Sequence, residues 1–276
     1  MAADVAEIVE LLTTGFRNRS REHWNRAMQR LTEHPTPPGY PKYGYLLSCR
    51  GKAVGVILLI FSSVPDGQAT TVRCSVSSWY VDPEFRSYAT LLTARALRHK
   101  EVTYINTSPA PHTLPILTAQ GYTEYCRGRY AAAPALRRGP PGTRIAMATR
   151  DLKPGDDLTW SEIELLRNHQ SYGCISLICT WEQWRYPFVF MRRRKLRIIP
   201  FAYLVYCRDS GDFVRFAGPV GRFLARCGLP LVVVDAHATV PTLIGSFSDA
   251  VPKYYKGPHP PKLGDTAYSE QVIFGI

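Results

Sequence analysis

The sequence predicts an α/β protein of the α+β type: a mixed, mostly antiparallel sheet flanked by helices, built as two similar lobes. Three observations carry this. The first half runs helix, helix, strand, strand, strand, helix, strand, helix, strand, and strands interleaved with helices require a sheet covered by helices. Gly51–Lys52 separates two strand-like runs, Tyr43–Arg50 and Ala53–Ser62, as the turn of an antiparallel hairpin. A faint repeat links the halves: Val102–Asn106 precedes His112 and Pro115, and Leu231–Asp235 precedes His237 and Pro241. Each of these strands also follows a segment rich in Arg, Ala and Leu (Thr93–Leu97 and Phe223–Arg226), as duplication of one lobe would produce.

The elements follow in order. Val5, Ile8, Val9, Leu12 and Phe16 share one face at helical spacing. Ser20 is placed to cap a second helix lined by Trp24, Met28 and Leu31, which HPTPPGYP (His34–Pro41) ends. Ala53–Ser62 is nearly all apolar, as a central strand would be. Val64–Gly67 reads as a turn, Val72–Val81 as a strand, and Phe85–His99 as a helix with a basic outer face. Val102–Asn106 is a short strand, His112–Gln120 a helix stopped by Gly121, and Thr123–Ala133 one or two closing strands. PALRRGPPG at Pro134–Gly142 reads as a linker, giving lobes at 1–134 and 157–276 with 135–156 between them. The second half holds a helix at Asp157–Gln170, capped by Asp157 or Thr159. Strands follow at Phe188–Met191, Leu196–Ile199, Phe201–Cys207 and Leu231–Asp235, with a short helix at Val220–Ala225.

Composition narrows the function classes. A chain of 276 residues with 45% hydrophobic residues buries a real core and is not disordered. A net charge of +12 favours anionic partners: nucleic acid, a membrane surface or a phosphorylated ligand. Seven cysteines, none in a C-x-x-C pair, argue against a disulfide framework or a zinc site and for a reducing compartment. The acidic, amphipathic N-terminus is unlike a signal peptide, and the longest apolar run, Ala53–Phe61, is far short of the ~20 residues a membrane helix needs. The expectation is a cytoplasmic protein with no metal and no membrane span.

Four anchors in order resemble the GNAT superfamily of acyl-CoA-dependent N-acyltransferases: Gly15–Phe16, GKAVG at Gly51–Gly55, WYVDPEFR at Trp79–Arg86, and AQGYTEY at Ala119–Tyr125. They span about half the chain, and the faint repeat extends the resemblance to a tandem, two-lobe GNAT. The resemblance implies acetyl-CoA or another acyl-CoA as co-substrate and a small-molecule amine as acceptor. It places the pyrophosphate loop at Val81, Arg86, Ser87, Tyr88, Ala89 and Thr90. A turn leading into a helix N-terminus offers backbone N–H groups and positive potential to phosphate. The pattern [QR]-x-x-G-x-[GA] keeps Arg86 here, but Ala89 and Leu91 replace its small residues, and Ser87 and Thr90 supply hydroxyls instead. Arg95, Arg98, His99 and Lys100 extend along the same helix, toward a ribose phosphate or simply toward solvent.

Acyl transfer from a thioester to an ammonium needs a proton acceptor, a donor to the leaving thiolate and a donor to the oxyanion. The Tyr that such proteins use as acid falls at Leu117, and the strand Val72–Val81 carries no carboxylate. Ser78 is a candidate for orienting water, with Ser77 beside it. His112 is the candidate base, and Tyr122 the candidate acid, with Tyr80 and Tyr125 as others. Trp79, Tyr80, Tyr88 and Trp181 are candidate walls for the acceptor. In the second half, Arg215, Gly218 and Gly221 approach the same phosphate-loop pattern, and Asp235 and His237 end the next strand. Two other functions compete: a binding or scaffold protein that keeps the fold without the chemistry, and a basic nucleic-acid-binding protein using Trp181–Arg197, which pairs stacking aromatic residues with phosphate-seeking charge.

Overall fold

The computed structural model describes residues 2–66, 69–196, 198–249 and 251–275. Two amphipathic helices, α1 (Ala2–Gly15) and α2 (Arg21–Glu33), open the chain, and the Ser20 hydroxyl caps α2 by accepting from the His23 N–H. The strands β1 (Gly44–Cys49), β2 (Lys52–Asp66) and β3 (Ala69–Val81) form an antiparallel meander. The strand character of β2 continues through Val64 to Asp66, so part of the expected Val64–Gly67 turn is ladder; Gly67 lies outside the described residues. A 3₁₀ segment, Pro83–Tyr88, leads into α3 (Ala89–Ala96), which replaces the single longer helix expected over Phe85–His99. Then come β4 (Thr103–Asn106), α4 (Leu114–Ala119), β5 (Thr123–Cys126) and β6 (Gly128–Ala132).

β7 (Arg144–Met147) precedes α5 (Trp160–Ser171), where Thr159 and Glu162 form a reciprocal capping box and Asp157 instead binds Arg185. β8 (Ile175–Trp181), β9 (Trp184–Lys195) and β10 (Ile199–Cys207) form the meander. Leu196–Ile199 is therefore mostly hairpin turn rather than strand; Leu196 has positive φ and Leu196 and Ile198 are exposed. α6 (Ser210–Arg226) is much longer than the expected Val220–Ala225, because Gly211, Gly218, Pro219 and Gly221 mask it in the sequence. β11 (Leu231–Ala236), β12 (Gly245–Ser248), β13 (Lys253–Lys256) and α7 (Glu270–Ile273) complete the chain.

Two sheets result, ordered β1-β2-β3-β4-β13-β5 and β12-β6-β11-β10-β9-β8-β7. Each has one parallel pair, β3 with β4 and β10 with β11. Each also takes one strand from the other half. β13 lies between β4 and β5, while β6 lies between β11 and β12. Sheet membership thus crosses the division into residues 1–134 and 157–276. The 135–156 stretch is not a free tether either, since residues 134–137 pack against α6.

Three apolar cores hold the layers. One, between the sheets, gathers residues of α1, α2, α5 and α7 with one face of each sheet. A second lies under α6, and a third under α3 and α4. A buried ion pair ties the exchanged β13 to the second sheet: Lys253 Nζ lies 2.6 Å from Asp235 Oδ2 on β11, and the Tyr203 hydroxyl donates to Asp235 Oδ1 at 2.7 Å. All seven cysteines are free, and no described helix is long and apolar enough to cross a membrane.

Candidate active site

β3 and β4 pair only at Arg73↔Thr103, Cys74↔Tyr104 and Ser75↔Ile105. Beyond that point β3 runs on to Val81, whereas β4 ends at Asn106, so the two strands part. β3 also bulges there. Ser77 faces Leu58 and Tyr80 faces Val56, so Ser78 and Trp79 share the place opposite Ile57. Ser78 has φ 45°, a conformation unusual outside glycine, which turns the strand and takes Ser78 and Trp79 out of the ladder.

A cavity of about 170 Å³ fills the parting. Ser77, Ser78 and Trp79 line it from β3, Asn106 and Ser108 from the end of β4, and His112 and Tyr122 from the segments around α4. Thr93, Leu97 and Leu117 come from helices on one face of the sheet, and Phe16 and Glu270 from elements on the other. The cavity therefore crosses the sheet where the strands separate.

The structure brings Ser78, His112 and Tyr122, read from the sequence as catalytic candidates, to this one cavity. Ser78 Oγ lies 3.0 Å from Ser77 Oγ. His112 is exposed at the rim. Burial pushes the Tyr122 hydroxyl well above its ordinary range, so it stays protonated and acts as a donor. Trp79 is a wall; Trp181 is not, because it lies in the other lobe under Arg215, whose guanidinium sits 3.9 Å from the ring centroid.

Val81 is buried at the end of β3, and Arg86, Ser87, Tyr88 and Thr90 are exposed, with Ala89 half-buried at the start of α3. This segment lines none of the cavity, but it forms the turn that enters α3, and no side chain caps that helix. Arg95 lies over the Tyr45 ring at 5.6 Å, and His99 meets Tyr40 and Glu101, so these two belong to the surface of the lobe.

The second-lobe constellation has a different character. Arg215, Gly218 and Gly221 stand inside α6, not in a loop after a strand. A Cβ on Gly218 would lie 2.0 Å from the Arg137 carbonyl oxygen, and one on Gly221 would lie 2.4 Å from the Ala135 nitrogen. These glycines admit the 134–137 backbone, not a phosphate. Asp235 is consumed by the Lys253 ion pair, and His237 is exposed. The parting between β10 and β11 is filled by the chain itself: Cys207 N–H donates to the Gly264 carbonyl at 2.9 Å and Thr266 N–H to the Val205 carbonyl at 2.8 Å. Along β9, residues 187–191 are buried on both faces while Arg192, Arg194 and Lys195 are exposed, so Phe188 and Phe190 of Trp181–Arg197 are taken up by the core and not presented beside the arginines; Arg197 lies outside the described residues.

Sequence reasoning missed Glu270. It arrives from α7 and is buried at the apex of the parting. Its Oε2 accepts from Ser75 Oγ at 2.6 Å, and its Oε1 accepts from Thr107 Oγ1 at 2.8 Å and Ser108 Oγ at 2.5 Å. The sequence carries no signal for this, because the partners lie more than 160 positions away.

No family profile and no curated protein matches the sequence. Solved structures do match it. A GCN5-related N-acetyltransferase from Anabaena variabilis superposes with a TM-score of 0.59 at 11% identity, over 93% of this chain and 71% of that one. A GCN5-related N-acetyltransferase from Kribbella flavida gives 0.55 at 14% identity, over 92% and 68%. A Pyrococcus horikoshii protein gives 0.57 at 12% identity, over 97% and 90%. The chain has the GNAT fold, and the likeness runs through both lobes.

Proposed function

We propose that the chain is an acyl-CoA-dependent N-acyltransferase whose first lobe carries the reaction. An acetyl or longer acyl group passes from the thioester of acetyl-CoA, or another acyl-CoA, to a small-molecule amine by direct attack. The observation that carries this reading is the parting of β3 and β4 at a bulge, with a cavity through the sheet. An extended thioester arm suits such a slot, since the unpaired edge of β3 offers backbone N–H and C=O groups along its length. The uncapped start of α3, with Arg86, Ser87 and Thr90 on the preceding turn and its first residues, suits the pyrophosphate. The cavity lining contains no cysteine, which favours direct attack over an acyl-enzyme. In this reading Tyr122 donates a hydrogen bond at the reacting centre, Ser78 orients a water or the acceptor, and His112 exchanges protons with solvent at the rim. The second lobe, with its own parting closed by residues 264–266, serves as scaffold.

Calorimetric titration and thermal unfolding with acetyl-CoA and longer acyl-CoAs test this. A ligand at 100 times its Kd stabilises by about 2.7 kcal/mol. Stabilisation by at least one acyl-CoA, lost on Ser78→Trp, is expected. No stabilisation by any of them overturns the reading.

A further inference from the structure

We infer that Glu270 receives the acceptor's ammonium group and takes its proton, which restricts the acceptor to cationic amines without an adjacent carboxylate. This rests on the acyltransferase reading above. The other fully buried carboxylates, Asp235 and Glu162, are ion-paired with Lys253 and Arg208. Among the described residues Glu270 has no cation; three hydroxyls hold it. A buried carboxylate without a counter-charge is costly to maintain, and hydroxyls only partly compensate. Glu270 borders the cavity, and the Ser108 hydroxyl bonded to it does so too.

The rest of the cavity agrees. In a chain of net charge +12, its lining holds one carboxylate and no Lys or Arg. An ammonium finds a counter-ion there; an α-carboxylate on the same molecule finds none, and would meet Glu270 with like charge. Glu270 enters from the face opposite α3, so an amine held by it approaches the parting from the side away from the pyrophosphate turn.

The step balances. The ammonium gives one proton to the Glu270 carboxylate, directly or through the Ser108 hydroxyl. The freed amine lone pair forms the C–N bond, the C–S bond breaks, and the second N–H proton leaves with the thiolate as thiol. Glu270 then returns its proton to solvent.

The test uses the full chain and acetyl-CoA, with release of free thiol as the readout. Matched pairs are offered: 1,5-diaminopentane against lysine, and tyramine against tyrosine. The amine of at least one pair is expected to exceed its amino acid by about 100-fold in kcat/KM. Glu270→Gln is expected to lower kcat/KM for that amine about 100-fold while acetyl-CoA affinity stays within about twofold. The melting temperature is expected to hold or rise, because no ion pair is broken. Equal use of the amino acids, turnover of neither member of either pair, or Glu270→Gln within about threefold of the unsubstituted chain overturns the inference. The pairs keep it falsifiable even if the variant fails to fold. Failure of the unsubstituted chain to bind any acyl-CoA overturns the parent reading, and the inference with it.

Discussion

His34 and His169 show how much of this molecule's stability depends on keeping two side chains uncharged. His34 Nε2 lies 2.9 Å from the Phe61 carbonyl and Nδ1 lies 2.9 Å from the Tyr172 hydroxyl. His169 Nδ1 lies 2.8 Å from the Leu165 carbonyl, and its Nε2 accepts the Tyr268 N–H at 3.2 Å. Each ring is therefore satisfied as a neutral imidazole, donating once and accepting once. Burial pulls both down to about 4, while the unfolded chain keeps them near about 6.5. Between those values the unfolded state binds more protons, so stability is full above pH 6.5 and falls as the pH drops toward 4. The slope is up to about 1.4 kcal/mol per pH unit for each histidine. Calorimetric melting from pH 7.5 to 5 should show the fall, and His169→Gln should flatten it. Residues of this kind were not legible beforehand. That Ser78 and Tyr122 line one cavity follows from their places next to the third anchor and inside the fourth, and His112 joins them from the Pro-rich turn after β4; the place of Glu270 was not legible, because α7 reaches the cavity only through tertiary packing.

At the scale of elements, α6 is the clearest case of packing overriding local preference. Three glycines and an internal proline disfavour a helix by propensity, yet Asp209 caps one that runs for 17 residues. The cause is the close approach of the 134–137 backbone to Gly218 and Gly221. Gly218→Ala and Gly221→Ala are each expected to destabilise by about 1–3 kcal/mol, read as a lower urea midpoint. Acyl-CoA affinity should not change, whereas a phosphate loop at that place would lose it. The hairpins and the first-half order were readable from apolar runs and turn residues. The length of α6 was not, since it is set by a backbone segment distant in sequence, nor was the bulge at Ser78, since serine carries no signal for a positive φ.

At the scale of the whole molecule, the exchange of β6 and β13 makes neither half complete. Residues 1–134 alone would lack the strand between β4 and β5 and would expose the edges of both. That fragment is expected to be unfolded or aggregated by circular dichroism and light scattering. Lys253→Ala in the full chain, which strands the buried Asp235, is expected to cost about 3–5 kcal/mol and to lower both sheets in one transition. The presence of strands and helices in both halves was legible, but the exchange was not, because a swapped strand carries the same pattern as one that pairs within its own half. The exchange also sets a timetable. On a ribosome, the first sheet cannot close until β13 has left the exit tunnel, although all its other strands end by Cys126, more than a hundred residues earlier. A nascent chain must carry that unfinished edge from the end of β5 at Cys126 until β13 begins at Lys253. Any species halted before residue 253 has no route to the finished slot, so residues 253–256, far downstream, decide whether the first half works.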